Sequence, residues 1–350
     1  MKTINIVREQ NIKVLKDYTD KLDIDYIYVP FEKEENIKVK LQESVLKGQL
    51  LYEDNNTKRY SSISGTVVKI DKHLIIIKNN YKELTTNTRA RKLDDLSQES
   101  FEKYYSNNKI KSMLSNEINN LYINAIDDDP FTFNKYMYLK KDINEIANVI
   151  NMLYRLFKIN RITFVIKNSY NDLLDSYKVN INYYKVEDIY PIGHKYLIDK
   201  FLLKNSSDYL IDLQDIIDMI YEIKKNKVQT EKYITINGDI DDPKVYNVKK
   251  YCSLNEIYTN IKGKDVILNN SLCGRIVKND QIIDDNTFSL IIRNKQENKE
   301  VECSKCGLCF NVCPMKINPL KKDDRCIACG LCNYVCPSKI NIYERIQKHE

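Results

Sequence analysis

The chain has 350 residues, of which 43% are hydrophobic, so it can bury about two to four domain cores and is not globally disordered. Its formal net charge of +6 is small for this length, and basic residues are interspersed with acidic ones, which argues against nucleic-acid binding. No run of about 18 apolar residues occurs, so we expect no transmembrane span.

The N-terminal segment and the glycine content indicate where the protein acts and which ligand-binding loops it lacks. MKTINIVREQNIKV lacks the apolar core of a secretory signal, so we expect a cytoplasmic protein, with peripheral association on the cytoplasmic side of a membrane left open. In that reducing compartment, clustered cysteines hold metal more often than they form disulfides. Only eight glycines occur, and no two have the G-x-G spacing of nucleotide-binding loops.

Residues 37–78 predict short strands separated by tight turns. The segments 44–51 and 62–70 are expected to face each other in a small all-β sandwich, with HLIIIK as a further strand. Biotinyl and lipoyl carrier domains share this outline. Lys47 lacks the surroundings of their modified lysine, so the sequence does not favour a carrier.

The next part of the chain predicts a parallel α/β sheet. LYINAI (121–126) and RITFVI (161–166) read as buried strands. Between them, apolar residues recur at helical spacing after Asp142 and Glu145, which resemble the capping box of a helix start. Strand, helix and strand in this order predict a right-handed βαβ unit.

Polar residues follow the first of these strands, where ligands of parallel sheets bind. Asp127 and Asp129 belong to this acidic turn, and two interpretations remain open: a cation or cofactor site, or a solvated loop. His194, a lone histidine beside tyrosine and lysine, is expected to be structural. Further along, residues 230–295 predict short strands around one helix, typical of a β-grasp module.

The C-terminal region carries the most specific pattern, because CSKCGLCFNVCPMKINP (303–319) returns as CIACGLCNYVCPSKINI (326–342). Eleven of the seventeen aligned positions are identical. Each copy reads C-x2-C-x2-C-x3-C-P, the spacing that holds [4Fe–4S] clusters in bacterial ferredoxins, where the fourth cysteine binds the other cluster. Two zinc sites are the alternative, but zinc ribbons use two separated C-x2-C pairs. We therefore assign one cluster to Cys303, Cys306, Cys309 and Cys336, and the other to Cys326, Cys329, Cys332 and Cys313.

Clusters fully ligated by cysteine favour one-electron transfer over substrate chemistry, so we expect no catalytic residue here. Gly307 and Gly330 are expected to bring backbone N–H groups close to sulfur, which tunes the reduction potential. Cys252 and Cys273 lie apart in apolar segments and are expected to be buried structural thiols. Lysines around the repeat form either a solvated face or a docking surface for an acidic electron partner: Lys305, Lys316, Lys321, Lys322 and Lys339.

The order of these segments resembles the RnfC family, which comprises peripheral iron–sulfur subunits of Rnf electron-transport complexes and RnfC-like proteins of proline reductase systems. VLKGQLLYED and SSISGTVVKI are similar to the family's barrel-sandwich segment. LYINAIDDDP is similar to its strand followed by N-G-A-E-C-E-P, and IYPIGHKYLI to its K-Y-P-x-G motif. ITINGDI and ILNNSLCG are similar to the ends of its soluble-ligand-binding β-grasp (SLBB) domain, and the cysteine repeats to its dicluster ferredoxin domain.

The resemblance implies a multidomain α/β protein with four parts. These are an N-terminal β barrel-sandwich (1–85), a Rossmann-like α/β core (86–228), an SLBB-like β-grasp module (229–297) and a C-terminal α-helical dicluster ferredoxin domain (298–350). It also places Asn124, Asp127 and Asp129 on a cofactor-binding motif. The implied partners are other subunits of an electron-transfer complex, or a flavoprotein or reductase.

The family's glycine-rich loop for FMN and NADH has no counterpart here, because TNTRARKLDDLSQESFEKYYSNNKIKSML contains no glycine. This departure makes FMN a doubtful cofactor. We expect a subunit that relays single electrons through two [4Fe–4S] clusters between a redox partner and a membrane-associated or soluble reductase complex. Two alternatives stay open: a flavin-dependent NADH oxidoreductase with a divergent loop, and a degenerate assembly module with structural clusters.

Overall fold

The computed structural model describes residues 7–8, 15, 17–55, 57–170, 173, 181–295 and 300–347. Apart from the strand Val7–Arg8, the N-terminal segment considered above as a signal lies outside the described residues. The structure is mixed α/β, with several sheets and intervening helices, which agrees with the predicted class. No helix in the described ranges combines the length and the apolar character needed to cross a bilayer.

The described elements are numbered in chain order. The strands are β1 (Val7–Arg8), β2 (Tyr18–Lys21), β3 (Tyr26–Pro30), β4 (Ser44–Val45), β5 (Leu50–Glu53), β6 (Lys58–Tyr60), β7 (Gly65–Asp71), β8 (Leu74–Asn79), β9 (Ile118–Asn124), β10 (Ile159–Lys167), β11 (Asn182–Val186), β12 (Ile189–Tyr190), β13 (Asp208–Asp212), β14 (Glu231–Gly238), β15 (Lys244–Lys249), β16 (Lys264–Leu268), β17 (Ile276–Val277) and β18 (Ser289–Asn294). The helices are α1 (Gln98–Tyr104), α2 (Asn108–Leu114), α3 (Asn134–Leu156), α4 (Lys195–Leu202), α5 (Leu213–Met219), α6 (Leu254–Ile257), α7 (Leu308–Val312), α8 (Leu331–Tyr334) and α9 (Ile342–Gln347). Short 3-10 turns occupy Glu34–Asn36 and Asn168–Tyr170, and a π-helical turn, Ile220–Lys225, extends α5.

An antiparallel sheet with the strand order β3-β8-β7-β4 forms the N-terminal β region, beside the β5–β6 hairpin. Ile75 and Ile77, at alternate positions of β8, are fully buried. One face of this strand therefore packs into the core, as expected for a strand at the surface of a sheet. The predicted facing of residues 44–51 and 62–70 is confirmed, because Val45 pairs with Gly65. A Cβ at Gly65 would lie 2.1 Å from the Lys78 carbonyl oxygen, so only glycine fits there.

Four parallel strands in the order β11-β10-β9-β13 form the second sheet, and α3 connects β9 to β10. The predicted strand–helix–strand unit is therefore present. The helix is kinked at Asp142 (φ −109°, ψ 15°), so one helical segment begins after this residue as predicted, but α3 also extends upstream to Asn134, which the sequence did not predict. Buried Tyr136, Met137 and Leu139 extend the apolar face upstream, so packing against the sheet outweighs the local capping pattern.

The third sheet is mixed and has the order β17-β16-β18-β14-β15-β2. Its centre is the parallel pair β14 and β18, flanked by antiparallel neighbours, with the short helix α6 after β15. Strand β2 joins its edge from the far end of the chain, pairing Tyr18 with Val245. This sheet shares one hydrophobic core with the N-terminal β region, through residues such as Ile27, Ile234 and Leu290.

An ion-pair network centred on the buried Lys249 also links these two regions. Lys249, 1% exposed, places its Nζ 3.0 Å from Glu83 and 2.9 Å from Glu231. Lys47 Nζ lies 3.0 Å and 2.7 Å from the same two carboxylates. Two lysines and two glutamates thus balance one another, and Lys47 is held in this network rather than at an exposed hairpin tip.

The C-terminal segment contains the three short helices α7, α8 and α9. It packs on the rest of the molecule through a small apolar cluster of Tyr190, Val312 and Leu331, with Leu272 at its border. Tyr190 ends β12, and Leu272 lies in the loop that follows β16. The segment therefore contacts β12, which pairs with β1 in a separate two-stranded sheet, and the loop of the mixed sheet that follows β16.

Candidate metal centres at the duplicated cysteines

The two copies of the cysteine repeat follow the same backbone path. Gly307 and Gly330 both have φ 74°, with ψ of 1° and 2°. Two residues upstream, Lys305 and Ala328 are also left-handed, with φ of 54° and 52°. Alternating left- and right-handed residues turn successive N–H groups toward one side. The resulting concavity suits an anion, including an iron–sulfur cluster.

Each of two cavities is lined by four cysteines drawn from both copies. The first, about 280 Å³, is lined by Cys303, Cys306, Cys309 and Cys336. The second is tighter, about 30 Å³, and is lined by Cys313, Cys326, Cys329 and Cys332. Each cavity combines three cysteines of one copy with the fourth of the other, which is the grouping that the spacing predicts. In the described ranges, no three His, Cys, Asp or Glu side chains converge as a site for one metal ion. Ligation by these cysteines stays a prediction.

Backbone N–H groups contact equivalent sulfurs in the two copies. The N–H of Leu308 donates to the Cys306 thiol and lowers its pKa, because the bond favours the thiolate. The N–H of Leu331 donates to Cys329 in the same way, but burial outweighs that bond and raises the pKa of Cys329 to about 11. The thiol of Cys329 in the second set is therefore less accessible to water than the equivalent thiol of Cys306 in the first set.

Mutual repulsion adds to this effect in the second set. Burial, and then the neighbouring thiol of Cys329, raises the pKa of Cys332 to about 12. Cys313 and Cys326 act on both of these thiols in the same direction. Four thiolates can coexist in such a site only when a cation compensates their charge, which is the role of a bound metal.

Two hydrogen bonds dock the second copy against the sheets. The Tyr190 hydroxyl donates to the carbonyl of Cys329 at 2.6 Å. The thiol of Cys273 donates to the carbonyl of Ala328 at 3.1 Å. Burial raises the pKa of Tyr190, so its hydroxyl stays a donor. Together these bonds fix the loop that carries Cys329 to the end of β12 and to the loop after β16.

The glycines of the two copies meet different surroundings. A Cβ at Gly330 would lie 2.7 Å from Cβ of Leu272, so the loop after β16 leaves room only for glycine at this position. At Gly307, no atom of the other described residues, chain neighbours aside, lies within 4 Å of the same position. The following leucines differ likewise, because Leu331 is fully buried whereas Leu308 is 46% exposed. Identical C-G-L-C sequences thus form one covered and one open surface.

Asp129, predicted as a cofactor-binding residue, holds the loop after β16 in place. Its Oδ2 accepts hydrogen bonds from the backbone N–H and the hydroxyl of Ser271, both at 2.7 Å. Its Oδ1 accepts from the N–H of Phe131 at 2.9 Å. Both oxygens of this buried carboxylate therefore have protein partners, and they tie the turn after β9 to the loop after β16. A cofactor-binding role for Asp129 stays a prediction.

The other two predicted cofactor residues also have protein partners. Asn124 donates to the carbonyl of Gly193 at 2.9 Å and accepts from the N–H of Ile126 at 3.1 Å. Asp127 accepts from the N–H of Lys135 at 3.1 Å. Burial raises the pKa of Asp127 to about 6. The structure places both residues at the carboxyl edge of the parallel sheet, and their cofactor role stays a prediction.

The sequence also predicted structural roles for three residues outside the repeat. His194 caps α4, because its Nδ1 accepts from the N–H of Tyr196 at 3.3 Å, which confirms the structural role. Cys252 is fully buried, as predicted. Cys273 is not the isolated buried thiol that we expected, because it is half-buried and contacts the second cysteine set. No sequence pattern marks this neighbour.

A further cavity, about 790 Å³, lies at the junction of the mixed sheet and the C-terminal segment. Its walls include Cys273 and Cys336, with Arg275, Arg293 and Tyr343 around them. The cavity shows that the docking of the second copy leaves the side of α8 and α9 open beside the sheet edge.

Comparisons with known proteins give only a weak similarity. No protein-family model and no curated protein matches the chain. Crystal structures of an NAD+-reducing [NiFe]-hydrogenase in the H2-reduced and air-oxidized states align with TM-scores of 0.38 and 0.39 at 11% and 12% identity. The alignments cover 51% and 52% of this chain and 41% of each hydrogenase chain. A TM-score below 0.5 does not establish a common fold.

Proposed function

We propose that this protein is an iron–sulfur electron-transfer subunit that binds two [4Fe–4S] clusters. The observation that supports the proposal is the pair of cavities, each lined by four cysteines from both copies of the repeat. One cluster belongs to Cys303, Cys306, Cys309 and Cys336, and the other to Cys313, Cys326, Cys329 and Cys332. When bound, such clusters exchange one electron at a time.

The chain's own residues would set the two sites apart. The N–H groups of Leu308 and Leu331 bond to equivalent thiols in the two sets and act in the same direction. Solvent exposure differs between the two sets. Cys303 and Cys306 of the first set are exposed, whereas docking of the second copy against Tyr190 excludes water around Cys329. Exposure and hydrogen bonds to sulfur are the main protein influences on cluster potential. We therefore infer two different reduction potentials along one relay.

We further infer an RnfC-like role for the whole chain. It would relay electrons between a redox partner, such as a flavoprotein or reductase, and a membrane-associated or soluble complex, with peripheral membrane association included in the proposal. The order of the four sequence segments supports this inference. The mixed sheet, with its parallel central pair β14 and β18 and one short helix, fits the expected β-grasp module.

The first test is the metal content of protein reconstituted anaerobically with iron and sulfide. We expect about eight irons and about eight sulfides per chain. Cys336→Ala and Cys313→Ala should each retain about four irons, because each removes one ligand of one cluster. Cys252→Ala is the matched control and should retain about eight. Stoichiometric zinc in place of iron and sulfide would contradict the proposal.

Paired substitutions test the crossed grouping directly. If Cys336 shares a cluster with Cys306, then Cys306→Ala with Cys336→Ala should still leave about four irons. Cys329→Ala with Cys336→Ala should then abolish both clusters. The reverse result, with iron retained only in the second pair, would mean that each copy of the repeat holds its own cluster.

A further inference from the structure

The docked copy of the repeat shows what a covered C-G-L-C surface looks like. Around Gly330 and Leu331, the loop at 270–274 fills the space over the glycine, and Leu331 is fully buried. The carbonyls of Ala328 and Cys329 accept hydrogen bonds from Cys273 and Tyr190. Apolar packing around the glycine and hydrogen bonds to these two carbonyls thus make up one interface.

The first copy presents the same surface without a cover. Among the residues that the structure describes, none beyond its chain neighbours lies within 4 Å of the Cβ position of Gly307. Leu308, Phe310 and Leu320 are 46%, 50% and 56% exposed, and the last two line the cavity of the first cysteine set. Cys303, in the same cavity wall, is exposed. We call Cys303, Leu308, Phe310 and Leu320 the outer face. Apolar side chains gathered at an open cofactor edge are typical of a binding surface.

The charges at the border of the outer face are mainly positive. Lys305, which is exposed, lines the same cavity and stands where the docked copy has Ala328. Lys321 follows Leu320 and is also exposed. The nearest acidic groups include Asp323, which is bound to Arg325 at 2.6 Å. Glu302 is the acidic residue that adjoins Cys303 in the chain.

We propose that the outer face docks an acidic one-electron carrier protein. Leu308, Phe310 and Leu320 form the apolar centre of the interface, and Lys305 and Lys321 form its charged rim. The carrier loses one electron and is oxidised, while the cluster held by the first cysteine set gains that electron. No bond forms and no proton moves. This inference rests on the proposed function, because it requires a redox group behind Cys303.

Binding of an oxidised, acidic plant-type [2Fe–2S] ferredoxin to the reconstituted full chain tests the proposal without any turnover. We expect the dissociation constant to rise steeply between about 50 and 300 mM salt, because rim charges steer the encounter. Lys305→Glu and Lys321→Glu should each weaken binding about fivefold and flatten the salt dependence. Lys40→Glu, an exposed lysine in the N-terminal β region, is the control with the same charge change.

Apolar substitutions test the centre of the interface separately. Leu308→Ser with Phe310→Ser should weaken binding about tenfold and keep the salt dependence. Leu41→Ser, a leucine with 58% exposure elsewhere, should change nothing. Basic cytochrome c should bind no more tightly than background. Equal ferredoxin affinity in the wild type and all outer-face variants would overturn the proposal.

Chemical reduction separates failure of this inference from failure of the proposed function. Dithionite should bleach the clusters of the wild type and of every outer-face variant alike. If dithionite bleaches the wild type but the oxidised ferredoxin does not bind it, the docking proposal is wrong and the relay function stands. If dithionite bleaches nothing, the proposed function fails and the docking proposal fails with it.

Discussion

Alanine at the two equivalent glycines separates backbone strain from packing. Gly307 and Gly330 share φ 74°, and their ψ values differ by 1°, from 1° to 2°. Alanine therefore carries the same left-handed strain at both positions, about 1 kcal/mol. Only at Gly330 does the new Cβ also meet Leu272, at 2.7 Å from its Cβ and 3.0 Å from its carbonyl carbon. Overpacking of this kind costs about 1–3 kcal/mol, which should weaken the docking of the second copy.

Hydrogen exchange in the loop at 270–274 measures that docking. The N–H of Gly274 bonds to the carbonyl of Asn270 at 2.8 Å, and the N–H of Cys273 to its side chain at 3.0 Å. A loss of 1–3 kcal/mol should speed exchange of these groups by about fivefold to 150-fold in Gly330→Ala. Gly307→Ala should leave them unchanged. Equal acceleration in both variants would refute the packing argument, because the backbone strain is shared.

Three further predictions concern the residues that fix the sheets and the docking loop. Tyr190→Phe removes the 2.6 Å hydrogen bond to the Cys329 carbonyl, so we expect the unfolding free energy to fall by about 0.5–1.5 kcal/mol. The reduction potential should shift only for the cluster of the second set. A shift confined to the first set would contradict this prediction. Lys249→Met leaves two carboxylates with Lys47 alone. This should cost about 1–3 kcal/mol in urea denaturation, because water screens the half-exposed Glu83, and Glu231→Gln in the same chain should restore part of it. Burial raises the pKa of Asp127 from 3.8 to about 6, so its contribution to stability is present at low pH and is lost as pH rises through about 6. Asp127→Asn should remove that slope between about pH 4 and 7 and be the more stable form at pH 7, whereas an unchanged slope would refute the assignment.

Local patterns in the sequence predicted those features that depend on neighbours along the chain. The apolar run in HLIIIK predicted β8, and the strand–helix–strand periodicity predicted β9, α3 and β10. The duplicated spacing predicted which four cysteines would line each cavity, because the turn before proline carries the fourth one away. Each of these features needs only a few residues of context.

Contacts between distant parts of the chain had no such signal. No pattern in the sequence marks the hydrogen-bond partner of Asp129, because Ser271 is 142 positions away in the loop after β16. The same loop brings Cys273 to the second cysteine set, which no spacing marks. Helix α3 starts before Asp142 because burial against the sheet extends it. In each case tertiary packing decides the outcome, and periodicity carries no information about it.

A reductive titration of the anaerobically reconstituted full chain tests the central claim most directly. Dithionite is added stepwise while cluster absorbance and EPR signals are recorded, and flavin is assayed in the same sample. We predict about two electrons accepted per chain, in two steps of different potential, with no flavin and no bleaching by NADH. Protein that binds iron and sulfide but accepts no electrons would contradict the relay and indicate clusters that serve only as structure. Bound FMN with rapid bleaching by NADH would instead identify the chain as an NADH-oxidising subunit.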